Sequence, residues 1–562
     1  MKTKILMLVV LCCLTLCLFS CTNNTPAETE PRVRGEIVDT GMVMNKQFGM
    51  FVTSVSTADE FVVDAEVRKQ GDGVKVMAYS DGTTVLTAYD WWGNTATVEV
   101  VVENSKITAM NVTALEGDVA NVRFFGACGD GKTDDTAAIQ KAIDSLKNGG
   151  TVYVPAGTYM CSGIILRENT HMRLQGKVDD VKSGYTDAVK AQVESGEYAI
   201  LKNNFRVNQM MLNHEIGAEG KTGKSNISFI GGMIDFDGAL KSGKAQVDVN
   251  QESHVLKYAD GTGAIFVTYG SGFVFENVIF KDGYNTHFFQ ITGAKNVHIK
   301  DCMFAGYTCK AQTKGQINTI NQSRESIQIE HSHSGACPPT KFEEGEFYYC
   351  ENIKITGCYF GDSDKAGYHL TPIGHHGMVG QATVTGIEIS DNVFDNPYFT
   401  AMHFPNYVNV DIKNNTFISN KEGFRLGALI DIYMNAPESS YKGKLQGSTN
   451  ATTTIVSAFP RSHAGIHNIN IENNEFMISG ESNKRAISVI GLPYKYGAFT
   501  VTDRMVQIKG TVYGKRYTGF VMTTNMLSDL TIKGNKIDVS ASDYYKDYMI
   551  HTSYIICKRK ID

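Results

Sequence analysis

A coiled stack of short parallel strands, a β-helix, is the fold class this sequence predicts, and three observations predict it. The first is a phrase that keeps returning: FENVIF ending at Phe280, NVHIKDCMF at Phe304, NIKITGCYF at Phe360, GIEISDNVF at Phe394, NVDIKNNTF at Phe417, HNINIENNEF at Phe476 and DLTIKGNKI at Ile537. Each copy alternates apolar and polar residues, the mark of a strand with one buried face. It then turns at Asn, Asp, Gly or Cys and closes on a large apolar residue. The second observation is the interval. Spacings of 24 residues (Phe280 to Phe304) and 23 (Phe394 to Phe417) leave no room for a helix in each repeat. Self-similarity at such a period marks a solenoid. The third is a column: Cys302, Cys358, Asn392, Asn415, Asn474 and Asn535 each stand two residues before the closing position. Windings about 4.8 Å apart stack these side chains into a ladder. Asn there suits left-handed backbone and bonding along the stack. Cys302 and Cys358 read as members of that ladder rather than as a disulfide or metal pair.

The elements follow in order. Lys2 and Lys4 precede an apolar run from Ile5 to Phe19, so residues 1–20 read as an export signal. The run is short for a membrane span. Leu18-Phe19-Ser20-Cys21 resembles a bacterial lipobox, which implies cleavage before Cys21, a lipid on its thiol and a polar tether over residues 21–32. The expected location is the bacterial cell surface or periplasm, held to the membrane by acyl chains. Residues 33–104 carry FVVDAEV, VKVMAYS, TTVLTAYD and ATVEVVV, short alternating strands that predict a β-sandwich. Thr84 to Val102 resembles the last hairpin of bacterial immunoglobulin-like modules. Trp91 and Trp92, the two tryptophans of the chain, suit core packing or a hairpin corner better than a sugar platform.

Residues 105–562 form the predicted β-helix. At its start, VANVRFFGACGDGKTDDTAAIQKAIDSLKNGGTVYVPAGTY (119–160) runs from a strand through a Gly/Asp loop into a helix. Ala138, Ile139, Ala142, Ile143 and Leu146 give that helix an apolar stripe. Asp134 or Asp135 caps it and Gly149-Gly150 stops it. A helix here covers the open end of the stack, where strand edges would otherwise be unpaired. The whole phrase resembles the N-terminal cap of the pectin-lyase-like superfamily of right-handed parallel β-helices. NISFIGGMIDFDG (226–238) and FVFENVIFKDGYNTHFFQITGAKNVHIKDCMF (273–304) resemble coils of glycoside hydrolase family 28, the polygalacturonases. The resemblance spans 119 to about 480. It implies hydrolysis of a polysaccharide or complex glycan, uronic-acid-containing ones included.

Such hydrolysis needs two carboxyl groups about 5–9.5 Å apart, a separation that neighbouring windings supply. In ESIQIEH (325–331), alternation puts Ile327 and Ile329 inward and Ser326, Gln328 and Glu330 on the outer face. Glu330 falls roughly where the resemblance implies the first catalytic acid, although the Asn-Thr before that acid is missing. Asp362 and Asp364 stand where it implies an acidic pair, here split by Ser363, and Gly374-His375-His376-Gly377 comes soon after. Glu330, Asp362, Asp364 and His376 are the expected catalytic residues. Gln328, His331, His375, His403 and Arg425 are the expected sugar contacts, Arg425 as a partner for a uronate carboxylate.

The formal net charge is −6 and there is no basic patch, which argues against nucleic acid as partner. Cys spacings are irregular and lack CxxC, so neither a zinc site nor another metal site is expected. No organic cofactor is implied. Two other readings stay open: a polysaccharide lyase, working by a base and a neutralised uronate, and a glycan-binding adhesin without catalysis.

Overall fold

The computed structural model describes residues 37–39, 52–67, 74–89, 95–116, 119–205, 209–215, 223–237, 265–284, 287–308, 325–331, 348–375, 384–421, 428–434, 442–443, 453–454, 466–479, 484–493, 499–502, 505–512, 515–522, 527–540, 549–553 and 559–561. The chain divides into two compact units, with the division near Gly117–Asp118.

The first unit holds two antiparallel sheets, a three-stranded one and a four-stranded one. Each buries one face: Val74, Val76 and Ala78 on one side, Leu86, Ala88, Ala96, Val98 and Val100 on the other. The strand Lys106–Glu116 pairs antiparallel with Thr95–Glu103. The boundary expected at residue 104 therefore falls inside a sheet, and the unit runs on past it. Trp91 and Trp92 lie outside the described residues.

The second unit is a right-handed parallel β-helix. Among the described residues it has three parallel sheets of 12, 11 and 10 strands, here called first, second and third. Successive strands go to each sheet in rotation: Gly150–Val154 to the first, Gly157–Cys161 to the second, Ile164–Ile165 to the third, then Thr170–Leu174 to the first again. The closing phenylalanines stack inside the coil. Ring centroids are 4.9 Å apart from Phe280 to Phe304, 4.6 Å to Phe360, 5.0 Å to Phe394, 5.0 Å to Phe417 and 4.6 Å to Phe476.

The ladder is present too. Asn392, Asn415 and Asn474 each donate a backbone and a side-chain N–H to the amide oxygen of the next Asn, at 2.9–3.0 Å. Cys302 and Cys358 continue it as buried free thiols, with Cys302 N 3.4 Å from Cys358 Sγ. One detail differs from expectation: the left-handed backbone belongs to the residue before each rung, Asp391, Asn414 and Asn473. At 357 the same position is glycine, whose Cβ would meet Asp301 Oδ1.

The cap helix spans Thr136–Ser145 and buries Ile139, Ala142 and Ile143. Asp135 is the N-cap residue but makes no side-chain cap bond, while Asp134 before it accepts from Thr136 N at 3.1 Å. Asp135 instead ties the preceding loop, accepting from Cys128 N and Gly129 N at 2.6 and 3.1 Å. Asp130 closes its own turn on Lys132 N and Thr133 N. The acidic loop is thus occupied by turn and cap bonds.

A second excursion matters for the site. Between the first-sheet strand Thr170–Leu174 and the second-sheet strand Ala199–Asn203 the chain forms a short helix, Asp187–Gln192. Its surroundings lay Val178, Val181, Val189 and Val193 over Met233, Ile279, Met303 and Tyr359 of the second sheet. Gly184, at φ +79°, allows the closest approach, since a Cβ there would sit 2.6 Å from the Tyr359 ring.

Candidate active site

The third sheet carries a polar row on its outer face. Register pairs Gln290 with Gln328, Gln328 with Gly374, Gly374 with His403, and His403 with Asp431. A parallel row pairs Thr268, Thr292 and Glu330. The Gln290 amide donates to Glu330 Oε1 at 2.7 Å and to Thr292 Oγ1 at 3.2 Å.

The row is least buried at its far end. His403 Nδ1 lies 3.5 Å from Asp431 Oδ2. Tyr433 Oη lies 2.7 Å from His403 Nε2. The imidazole thus stands between the two groups, hydrogen-bonded to the phenol at Nε2 and facing the carboxylate at Nδ1. His403 and Asp431 keep side-chain exposures of 15% and 19%, so this cluster is reachable.

Glu325 joins it. A Cβ added at Gly374 would stand 2.9 Å from Glu325 Cγ and 3.1 Å from His403 Cβ. The bare backbone of Gly374 thus has Glu325 on one side and His403 on the other. Glu325 lies against Gly374 although it is wholly buried, and two successive residues after it face the core. Ser326 Oγ bonds His369 Nδ1 inside the coil at 2.5 Å, and Ile327 is part of the core. The preceding winding does the same with Phe288 and Phe289. Strict alternation predicted Ser326 outside and overlooked Glu325. The doubled phenylalanine at the same place one winding earlier was the signal available. Tyr433 was also missed, since nothing in the sequence ties a lone Tyr to a distant His.

The expected pairing of Glu330 with Asp362 or Asp364 does not form. Glu330 ends a third-sheet strand, whereas Asp362 and Asp364 follow the second-sheet strand Tyr359–Gly361. Ser326, at the near end of Glu330's strand, is already four residues from it, roughly 13 Å of extended chain. Asp364 is engaged elsewhere, at 2.9 Å from Lys281 Nζ and 3.1 Å from Lys190 Nζ. Lys281 also holds Asp282 at 2.5 Å, and Lys202 reaches Asp237 at 3.1 Å and Asp235 at 3.8 Å. Burial pushes Asp282 and Asp235 above the usual carboxylate range, and their lysines offset this only in part. Burial would raise Asp364 as well, but Lys281 and Lys190 outweigh it and hold that carboxyl low. Three lysines facing four carboxylates make a tightly engaged ion cluster beneath the short helix.

His331 and His375, expected at the sugar, are interior. Their rings stack 5.6 Å apart, and His375 Nδ1 is 3.2 Å from the Ile329 carbonyl. Gln328 lies in the row, 2% exposed. His376, Arg425 and Cys21 fall outside the described residues. A cavity of about 750 Å³ lined by Leu146, Asn148, Arg167, Glu168 and Lys224 sits at the end of the cap helix, away from this chemistry.

Fold and row together define a right-handed parallel β-helix with a polar outer row. Residues 119–337 match the family described as rhamnogalacturonase A/epimerase, pectate lyase-like. The chain is 33% identical over 316 residues to the plasmin and fibronectin-binding protein A of Streptococcus pneumoniae, covering 55% of this chain and 40% of that protein. The chain thus spans well under two thirds of that relative. The crystal structure of PfbA, a surface adhesin of Streptococcus pneumoniae, superposes with a TM-score of 0.52 at 25% identity, over 76% of this chain and 81% of the other. An exo-poly-alpha-D-galacturonosidase of Dickeya chrysanthemi is 33% identical over 114 residues, 20% of this chain and 19% of that one.

Proposed function

We propose that the protein is an exported, surface-held glycoside hydrolase of an acidic polysaccharide, working at the outer face of the third sheet. The observation that carries this reading is the Glu325–Gly374–His403–Asp431 arrangement, with Tyr433 on the far nitrogen of the imidazole. Glycosidic cleavage requires two carboxyl groups: Asp431 is reachable, and Glu325 is a buried carboxyl three windings before it on the same sheet. Asp431, the more open acid, activates water or attacks the sugar. Glu325 protonates the leaving oxygen. His403, between Tyr433 Oη and Asp431, is a positioning residue that orients Asp431. The family match and the galacturonosidase relative support an acidic glycan as substrate. Export and a lipid at Cys21 belong to the same proposal.

The test is release of reducing ends from polygalacturonate and from a panel of bacterial and host glycans. Asp431→Asn and Glu325→Gln should each lower turnover by about 10²–10⁴-fold. His403→Gln should shift the pH profile rather than abolish binding. Turnover unchanged in both acid variants overturns the site. New absorbance from an unsaturated sugar would make the protein a lyase.

The second reading is a glycan-binding adhesin without catalysis. The resemblance to the pneumococcal adhesin favours it, as does the failure of Glu330 to meet Asp364. Saturable glycan binding by the wild type with no turnover would establish it.

A further inference from the structure

We infer that the cavity at the end of the cap helix is an anchoring site for an acidic sugar, separate from the polar row of the third sheet. Its volume, about 750 Å³, falls in the ordinary range of small-molecule sites, about 300–1,000 Å³. Three segments wall it. They are the helix end over residues 143–148, the turn Arg167-Glu168-Asn169 from the third sheet to the first, and Lys224 from the same turn one winding on.

The charges on this wall do not cancel. Arg167 is neutralised, donating from Nε to Asp144 Oδ1 at 2.7 Å and from Nη1 to Glu215. Glu168 Oε2 accepts from the Ser225 N–H at 2.9 Å. Lys147 and Lys224 remain, two ammonium groups with no ion-pair partner among the described residues. On the outer face of the first sheet, by contrast, Lys295, Lys300 and Lys354 each meet a carboxylate at 2.8–3.1 Å. Two uncompensated cations in one cavity suit a carboxylate. Leu146, half-buried against the core, adds apolar wall for the C–H side of a sugar ring, and Asn148 adds an exposed amide for its hydroxyls.

The walls are held in place. Asn213 is wholly buried and clamps the backbone of Lys224: its carbonyl accepts from Lys224 N at 2.7 Å, and its Nδ2 donates to Lys224 O at 3.0 Å. Gly149, at φ +88°, seats the helix end on the turn, since a Cβ there would stand 2.3 Å from Asn169 Cβ. Gly150 N then donates to Asn169 O at 2.9 Å. A preformed cavity spares a ligand the cost of ordering its site. Seven strand steps of the third sheet separate Ile164–Ile165, beside this cavity, from Ala428–Met434, which carries Asp431. That is roughly 34 Å of stacked windings. The cavity therefore holds a glycan without cleaving it, and stands whether or not the row is catalytic.

The experiment is calorimetric titration of the full chain with digalacturonate, with neutral digalactose as the control. The wild type should bind digalacturonate saturably and digalactose at least tenfold more weakly. Lys147→Gln and Lys224→Gln should each weaken digalacturonate binding by about tenfold. Asn148→Trp, which fills the cavity and keeps both charges, should weaken it as much. Melting temperatures should stay at the wild-type value, because Lys147 and Asn148 are exposed and Lys224 is fixed through its backbone. Asp431→Asn should bind digalacturonate as the wild type does. Wild-type binding in the Lys147→Gln/Lys224→Gln double variant overturns the site, as does a wild type that binds no digalacturonate. Equal affinity for digalactose overturns the acidic ligand. Binding lost in Asp431→Asn but kept in the lysine variants places the glycan on the row instead. A protein with no hydrolase activity that still binds through the two lysines refutes the proposed function alone.

Discussion

The outer edge of the second sheet and the outer face of the third both carry acids from different windings, yet they use them differently. At the second sheet, Lys281 sits between Asp282 and Asp364, Lys190 reaches down from the short helix, and Lys202 joins Asp235 to Asp237. Each charge there has a partner of opposite sign, and Lys281 and Asp282 are almost wholly buried. At the third sheet, Asp431 faces a histidine whose other nitrogen meets a phenol, and Glu325 lies across a glycine from that histidine. No lysine in the described contacts neutralises Asp431. Stacking windings brings acids together in both places. What separates structure from chemistry is whether a fixed cation is stacked with them.

The comparison breaks first on Lys281. Replacing it by Met leaves buried carboxylates without their cation, a loss on the order of 3–5 kcal/mol, read as the midpoint of chemical denaturation. Turnover per folded molecule should be unchanged. Asp431→Asn should do the reverse, abolishing turnover while stability shifts by about 0.5 kcal/mol or less. If Lys281→Met leaves a stable fold but no turnover, the second-sheet cluster belongs to the active site and the division drawn above is wrong.

Next in size is acid sensitivity. His369, in the turn joining the two regions, bonds Ser326 Oγ and faces the Phe304 carbonyl at 3.0 Å. Burial lowers it to about 4, and burial lowers His214 to about 4 as well. Both folded values lie below the ordinary 6.5, so the native protein binds fewer protons than the unfolded chain. Their contribution is therefore complete above about pH 6.5 and is lost as pH falls from there toward 4, by an amount on the order of 3 kcal/mol each. Melting temperature measured across that window should drop, and less so in His369→Gln.

The coil was legible because its determinants are local and repeated. Every closing Phe and every ladder Asn sits in sequence where it sits in space. The active centre was legible only in pieces. Gln328, Glu330 and His403 fall on the third-sheet face where alternation puts them. Glu325 was hidden because two inward residues in a row, Ser326 and Ile327, shift the alternation by one place. Asp364 looked like a partner for Glu330 because windings stack, but which of three faces a turn residue joins depends on where the turn falls. Lys190 and Lys281, far apart in sequence, decided that question.

Gly374→Ala sharpens the contrast on the catalytic side. Its methyl would press on Glu325 Cγ at 2.9 Å and on the His403 carbonyl at 3.0 Å. The side chain can yield and the backbone cannot, so stability should fall by about 1–3 kcal/mol. Turnover should fall further than binding, since the displaced group is the proton donor. Equal kcat in Gly374→Ala and wild type would remove Glu325 from the reaction.

The smallest effect distinguishes two acids within the ion cluster itself. Lys281 and Lys190 hold Asp364 below the ordinary carboxylate value of 3.8, whereas burial holds Asp282 above it. The signs are opposite. Asp364 contributes stability that is complete above 3.8 and is lost as pH falls through its lower folded value. Asp282 binds its proton more tightly when folded, so its ionisation costs stability as pH rises from 3.8 through its higher folded value. The gap between wild type and Asp364→Asn should therefore be full at pH 7 and close in acid. The gap between wild type and Asp282→Asn should be narrower at pH 7 than at pH 4. Parallel trends in the two variants would mean that Lys281 serves both acids alike, and that an excess of carboxylates over lysines does not govern the cluster.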